Sequence, residues 1–247
     1  MASNSATMLA TQQSIKAYVD AVDVPTTRNL LINGAMEVAQ KGGGSHTTAG
    51  QTYWVDRFYT YMQGGEKTAT YTTDAPAGFK HSLKIQRDNG SSVTDPTYFS
   101  QPCESASCVG FAGSKITLSF YARKGANFSP TSDYINVAVH SSTGTDQALM
   151  DGITGNVNVI GTVNQAITAD WVRYTFTSSS TVPADSNQLH FQIIVSPTGT
   201  AGANDWYEIT GVQIEKGESA TVFQHEEYGT TLAKCQRFFL NYVQGDD

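Results

Sequence analysis

The side chains able to do covalent or acid–base chemistry in this 247-residue chain are few and scattered. Glycoside hydrolysis needs two carboxyl groups held about 5–10 Å apart across a cleft, and Asp56, Asp151, Asp205 and Glu208 are the candidates for such a pair. Their spacing brings no two of them together. Asp56, inside Trp54-Val55-Asp56-Arg57-Phe58, reads more simply as a partner for Arg57 or for backbone at a strand edge. Nucleophilic catalysis needs a Ser or Cys beside a base, yet the chain has no GxSxG elbow and no HExxH pair. The histidines His46, His81, His140, His190 and His225 are dispersed, and His140 and His190 fall in strand-like runs where a structural or surface role is expected. Gly42-Gly43-Gly44-Ser45 reads as a loop and not a phosphate cradle, because neither GxGxxG spacing nor a helical pattern accompanies it. The expectation is a protein without catalytic residues.

What remains is recognition by stacking. The chain holds 12 Tyr, 11 Phe and 3 Trp, and an exposed aromatic ring offers an apolar face with a polar edge suited to a sugar ring. Tyr59 and Tyr61 share one face of a strand whose other face carries Phe58 and its neighbours, and Trp171 opens a strand at a loop edge. These three are the candidate ligand-binding residues. Of the three cysteines, Cys103 and Cys108 are close enough to close a small loop, although a reducing compartment favours free thiols, and Cys235 reads as a small buried residue.

The elements that must position these groups are mostly strands. Apolar residues alternate at Ile116, Leu118, Phe120 and Ala122, at Ile135, Val137 and Val139, at Val172, Tyr174 and Phe176, and at Leu189, Phe191, Ile193 and Val195. Each set places one apolar face inward. Trp54–Met62, Lys67–Thr73 and His81–Arg87 are further strands, and with the first and last this predicts about nine or ten. Few charged residues (15%) and no intervening helices suit a mainly β protein, a two-sheet antiparallel β-sandwich of the jelly-roll kind. Near the start, Thr7–Val22 has a heptad seam at Met8, Gln12, Ile15, Val19 and Val22. Its β-branched positions favour three strands, which predicts a short N-terminal α-helix that makes a homotrimer. Asp23-Val24-Pro25 breaks that helix, so the predicted organisation is an oligomerising helix over 1–24 and a sandwich domain over 25–247 that finishes in a short helix over Leu232–Phe239.

A net charge of −7, with Arg123-Lys124 the only adjacent basic pair, argues against nucleic acid as a partner. No run of about 18 apolar residues predicts membrane insertion, and the start lacks a basic and apolar leader pattern, so cytoplasmic synthesis is expected.

Both ends of the sandwich carry a resemblance. Trp206–Gly217 (WYEITGVQIEKG), Glu218–His225 (ESATVFQH) and Leu232–Phe239 (LAKCQRFF) together resemble the closing segment of receptor-binding domains in bacteriophage tail fibres. Arg28–Gln40 (RNLLINGAMEVAQ) is similar to the first strand of those domains and of jelly-roll carbohydrate-binding modules. Ala10–Asp20 resembles the helix that precedes the terminal domain of trimeric tail fibres. The resemblance implies a virion protein assembled in the host cytoplasm, joined to other virion proteins through its N-terminal segment and able to bind a host-surface polysaccharide. A free bacterial carbohydrate-binding module and a capsid decoration fibre without ligand are the alternatives. It also implies that His225 positions the terminal crossover by hydrogen bonding. No cofactor is required. Modules of this kind often hold a structural calcium, and the matching positions are Glu37 and Asp205, which would need backbone carbonyls to complete a shell of six to eight oxygens.

Overall fold

The computed structural model describes residues 29–46 and 49–240. The helical seam of Met8, Gln12, Ile15, Val19 and Val22, and the boundary near Val24, lie outside the described residues. Within them the alternating runs become strands whose apolar sides meet. The described strands are β1 (Gly44–His46), β2 (Gly50–Val55), β3 (Phe58–Met62), β4 (Lys67–Thr72), β5 (Ser82–Arg87), β6 (Thr97–Pro102), β7 (Ile116–Lys124), β8 (Tyr134–Ser142), β9 (Val157–Ala166), β10 (Val172–Thr177), β11 (Gln188–Val195) and β12 (Trp206–Lys216). They form two six-stranded sheets, the first in the order β1-β4-β5-β12-β7-β10 and the second β2-β3-β6-β11-β8-β9. Pairing is antiparallel throughout. This is a jelly-roll β-sandwich. Among the described residues two short α-helices accompany it, α1 (Ser105–Cys108) and α2 (Tyr228–Gln236). Among the described residues no helix is long and apolar enough to cross a membrane.

The core lies between the inner faces. Leu118 and Phe120 from β7 and Ile209 and Ile214 from β12 meet Phe58, Phe99, Phe191, Ile193 and Val137 from the second sheet, all with no exposed surface. Phe58 and Phe99 stack with centroids 4.9 Å apart, and Phe191 meets both edge-on at 6.2 and 6.0 Å. Burying each such ring contributes on the order of 1.5–3 kcal/mol.

Three sequence expectations are corrected. Trp54–Met62 is not one strand but a hairpin, with Val55 opposite Phe58 and Asp56-Arg57 making the turn, where Arg57 takes a φ of 72°. The expected first strand does not form over residues 29–40. Asn29 instead supplies side-chain links to β12, its Oδ1 accepting from Ile214 N and its Nδ2 donating to the Val212 carbonyl, and positive φ at Asn33 and Met36 turns the chain. The terminal helix starts earlier than Leu232, because the Glu227 carboxylate accepts from Thr230 N and caps it at Tyr228. Strand β9 escaped the sequence reading because it is largely exposed at the sheet edge and its Val157, Val159 alternation is interrupted at Ile160-Gly161.

The terminal segment is fastened by side chains. His225 packs on Phe79 and Phe223 at 5.0 and 4.9 Å, so ring contacts hold the crossover. Cys235 is buried, Arg237 pairs with Glu104, and the Arg57 guanidinium lies 3.5 Å over the Phe238 ring.

Strand β12 carries its apolar residues at Tyr207, Ile209, Val212 and Ile214, a spacing broken by one extra residue. The register shifts between Thr210 and Gln213, a bulge. Gly211 sits there at a φ of 64°, and a Cβ would stand 2.7 Å from Phe79 Cζ. Gly211→Ala is therefore expected to destabilise by about 1–3 kcal/mol, read in a calorimetric melt as a fall of roughly 3–10 °C in Tm. An unchanged Tm would show that the bulge does not need glycine.

Candidate functional site

The inward placement of Phe58, Thr60 and Met62 in β3 leaves Tyr59 and Tyr61 on the outer side of the second sheet. Register then assembles rows across that side. Tyr61 faces Gln51 on one flank and Tyr98 on the other, and the row continues through Ile194, Asn136 and Asn164. The neighbouring row runs Tyr59, Ser100, Gln192 and Ala138. A third joins Pro102, His190, His140 and Asn158. The aromatic groups gather on β2, β3 and β6, and the amides on β8, β9 and β11.

Tyr61 and Tyr98 lie nearly parallel, centroids 6.0 Å apart, while Tyr53 meets Tyr59 edge-on at 5.7 Å. Tyr53 is 39% exposed. Beside Tyr53 and Tyr59 a recess of about 140 Å3 is walled on its far side by Ala148, Leu149, Met150 and Asp151. The Tyr59 hydroxyl pairs with the Gln51 side-chain carbonyl. Burial pushes the Tyr59 phenol up to about 12, with Tyr53 and Asp151 adding to it, so it stays a neutral group able both to donate and to accept. The arrangement offers flat apolar rings flanked by neutral hydrogen-bonding groups, with Asp151 the one carboxylate among the residues lining the recess.

His190, at the middle of the third row, is fully buried, its Nε2 3.0 Å from Ser142 Oγ. Burial, with His140 next to it, pushes its imidazole down to about 4. Burial also lowers His140, whose Nδ1 is 3.1 Å from Asn156 Oδ1. Both rings are therefore neutral near pH 7.

The three ligand-binding candidates are divided. Tyr59 and Tyr61 come together, whereas Trp171 belongs to the other sheet, where the Arg123 guanidinium sits 4.9 Å from its ring and 5.5 Å from that of Trp206. Sequence reading missed Tyr98, Gln192, Asn136 and Asn164. The alternation of Thr97-Tyr98-Phe99-Ser100 was a signal for Tyr98, but membership in one face comes from cross-strand pairing, which no local pattern encodes.

Three of the four candidate carboxylates are engaged separately, and the fourth, Asp151, lines the recess. Asp56 accepts from Gln40 backbone and side chain at 3.3 and 3.0 Å. Glu208 accepts from Arg123 Nε at 2.6 Å, and Asp205 pairs with Arg87 at 2.8 Å. Glu37 and Asp205 are also kept apart. The Glu37 carbonyl accepts from the hydroxyl of Tyr71, whereas Asp205 adjoins Arg87, the partner of Lys67 at the opposite end of β4. With Asp205 Oδ1 accepting from Ser129 N and Oδ2 from Arg87, this pair does not fit a shared calcium. Among the described residues no three of His, Cys, Asp and Glu cluster as a metal-holding group. All three cysteines are buried free thiols.

No protein-family model matches the chain, and no curated protein sequence does. Among solved structures it is similar to the CBM22-1 xylan-binding domain of Paenibacillus barcinonensis Xyn10C, at 16% identity over 78% of this chain and 96% of that one, TM-score 0.40. It is similar also to the enzymatically active domain of bacteriophage CBA120 tailspike protein 4, at 10% identity over 77% of this chain and 22% of that one, TM-score 0.43. A third likeness, at 10% identity over 76% and 96% with a TM-score of 0.44, is to the Stig cyclase Fisc of Fischerella sp. TAU. Likenesses this distant carry no argument about what this chain does.

A pH consequence follows from His190. Its folded pKa lies below the ordinary 6.5, so the unfolded chain binds the extra proton between pH 6.5 and about 4. The stability it contributes is complete above pH 6.5 and is lost as pH falls towards 4. A thermal melt series is expected to show the His190→Gln variant losing less Tm across that window than the unaltered protein, and parallel curves would remove His190 from the acid response.

Proposed function

We propose that the chain is a non-enzymatic glycan-binding sandwich of a bacteriophage virion appendage, binding a host-surface polysaccharide through the tyrosine side of the second sheet. The observation that carries this reading is the convergence of Tyr53, Tyr59, Tyr61 and Tyr98 on one outer face beside a recess and a band of amides. Stacking on such rings supplies affinity, while Gln51, Gln192, Asn136 and Asn164 supply hydrogen bonds that orient hydroxyl groups. Asp56, Asp205 and Glu208, each engaged apart from the others and from Asp151 at the recess, support binding without hydrolysis. The virion assignment and the homotrimer rest on the terminal motifs and on the heptad seam. Three weak faces held together would act by avidity, raising apparent affinity by orders of magnitude without a strong single contact.

Two experiments test this. On an array of bacterial capsule, lipopolysaccharide and plant cell-wall glycans the protein should bind at least one polysaccharide. Tyr59→Ala and Tyr61→Ala are each expected to weaken that binding roughly tenfold at unchanged Tm, while Trp171→Ala, on the opposite sheet, leaves it unaltered. Equal loss from Trp171→Ala, or none from the tyrosine variants, would move or remove the site. Light scattering on the full chain and on a version lacking residues 1–24 should give a trimer that falls to a monomer. A monomer in both favours a free binding module over a fibre.

A further inference from the structure

At one end of the sandwich a buried cation sits where several loops meet, loops that are also joined by a few backbone hydrogen bonds, among them Gly90 N to the Ala201 carbonyl at 2.9 Å and Ala201 N to the Ser91 carbonyl at 2.8 Å. Arg87 closes β5, and its side chain is 5% exposed. Its Nη1 donates to Asp205 Oδ2 at 2.8 Å, to Ser129 Oγ at 3.1 Å and to the Thr198 carbonyl at 3.4 Å. Its Nη2 donates to the carbonyls of Val93 at 2.7 Å, Gly199 at 3.0 Å and Ser91 at 3.1 Å. The guanidinium is thus surrounded by four carbonyls, one hydroxyl and one carboxylate, drawn from the segment after β5, the β7–β8 connection, the β11–β12 connection and the residue before β12. Asp205 is bound in turn, its other oxygen accepting from Ser129 N at 3.0 Å and its own carbonyl from Arg87 N at 3.0 Å.

Six oxygens converging from several loops on one positive charge is the donor set that a hard divalent cation takes. We propose that Arg87 is a built-in cation, doing for these loops what a bound calcium does elsewhere, so that this end of the sandwich is held without a metal. The chemistry favours an arginine for the task. Its planar fork reaches several acceptors at once and keeps its charge at any working pH. Being covalent to β5, it leaves no binding equilibrium that chelators or dilution can shift. A second buried cation, Lys67, lies opposite Arg87 in the β4–β5 pair and donates to the Gln63 and Gly65 carbonyls at 2.7 and 3.1 Å. Asp205 balances the charge of Arg87, while burial pushes the Lys67 ammonium down to about 8. The inference stands whether or not the tyrosine face takes a glycan.

The test is a set of calorimetric melts in excess chelator and in millimolar calcium. The unaltered protein should melt at the same temperature in both, whereas a midpoint several degrees lower in chelator would overturn the proposal. Arg87→Ala opens the cage and leaves the buried Asp205 carboxylate without its counter-charge, so its Tm in chelator should fall by roughly 10 °C. Calcium should then recover a measurable part of that fall. Arg87→Met, whose side chain fills the space, should fall similarly and not respond. An Arg87→Ala variant that responds no more than Arg87→Met would overturn the reading of the cage as a cation site. If Arg87→Ala is recovered only unfolded, the yield of folded protein after refolding with and without calcium gives the same discrimination.

Discussion

The packing of Phe58, Phe99 and Phe191 between the sheets governs everything outside them. Side chains alternate along a strand, so committing these rings to the interior commits their neighbours to the opposite side. Tyr59 and Tyr61 flank Thr60 on β3, Tyr98 and Ser100 flank Phe99 on β6, and His190 and Gln192 flank Phe191 on β11. A slip of one residue in any of these strands would bury tyrosines and amides and expose phenylalanines, at a cost of several burial energies. The tyrosine face is therefore an obligate by-product of the core.

Polar groups inside the sandwich are arranged by the same economy of placement. Arg87, Lys67 and Asp205 sit beneath the loops at one end, where carbonyls without ladder partners are available to them. Glu208 and Arg123 pair on the outer side of the first sheet, with Trp171 and Trp206 against the guanidinium. Breaking a buried pair by removing one partner is far more damaging than its net contribution suggests, because the remaining charge is left in a poor solvent. The Arg87–Asp205 pair ties β5 to the residue before β12, and the Arg123–Glu208 pair ties β7 to β12.

Division of labour between the sheets accounts for the fate of the aromatic residues. On the first sheet Trp171 and Trp206 pack on cations, and Tyr121 and Phe79 sit against one another at 5.2 Å beneath the terminal crossover. On the second, Tyr53, Tyr59, Tyr61 and Tyr98 have neighbours of their own kind and an open recess beside them. The end of the chain is fastened over the first sheet and the sandwich edge, which leaves the second sheet as the side with an uncovered aromatic surface.

Much of this was legible in the order of the residues. Period-two alternation is a local consequence of strand geometry, so the runs around Phe120, Val137, Phe191 and Ile209 announced strands, a sandwich and the shared face of Tyr59 and Tyr61 without any knowledge of partners. The bulge at Gly211 was not read in advance and emerges from the register of β12 against β7. Partnership was not legible. That Tyr98 stands beside Tyr61, that Trp171 lies on the other sheet and that Asp205 closes on Arg87 instead of meeting Glu37 depend on strand order and register. Those are fixed by contacts between residues about 40 to 120 positions apart in the chain, and only the folded structure, where the sum of all burial is made at once, could decide them.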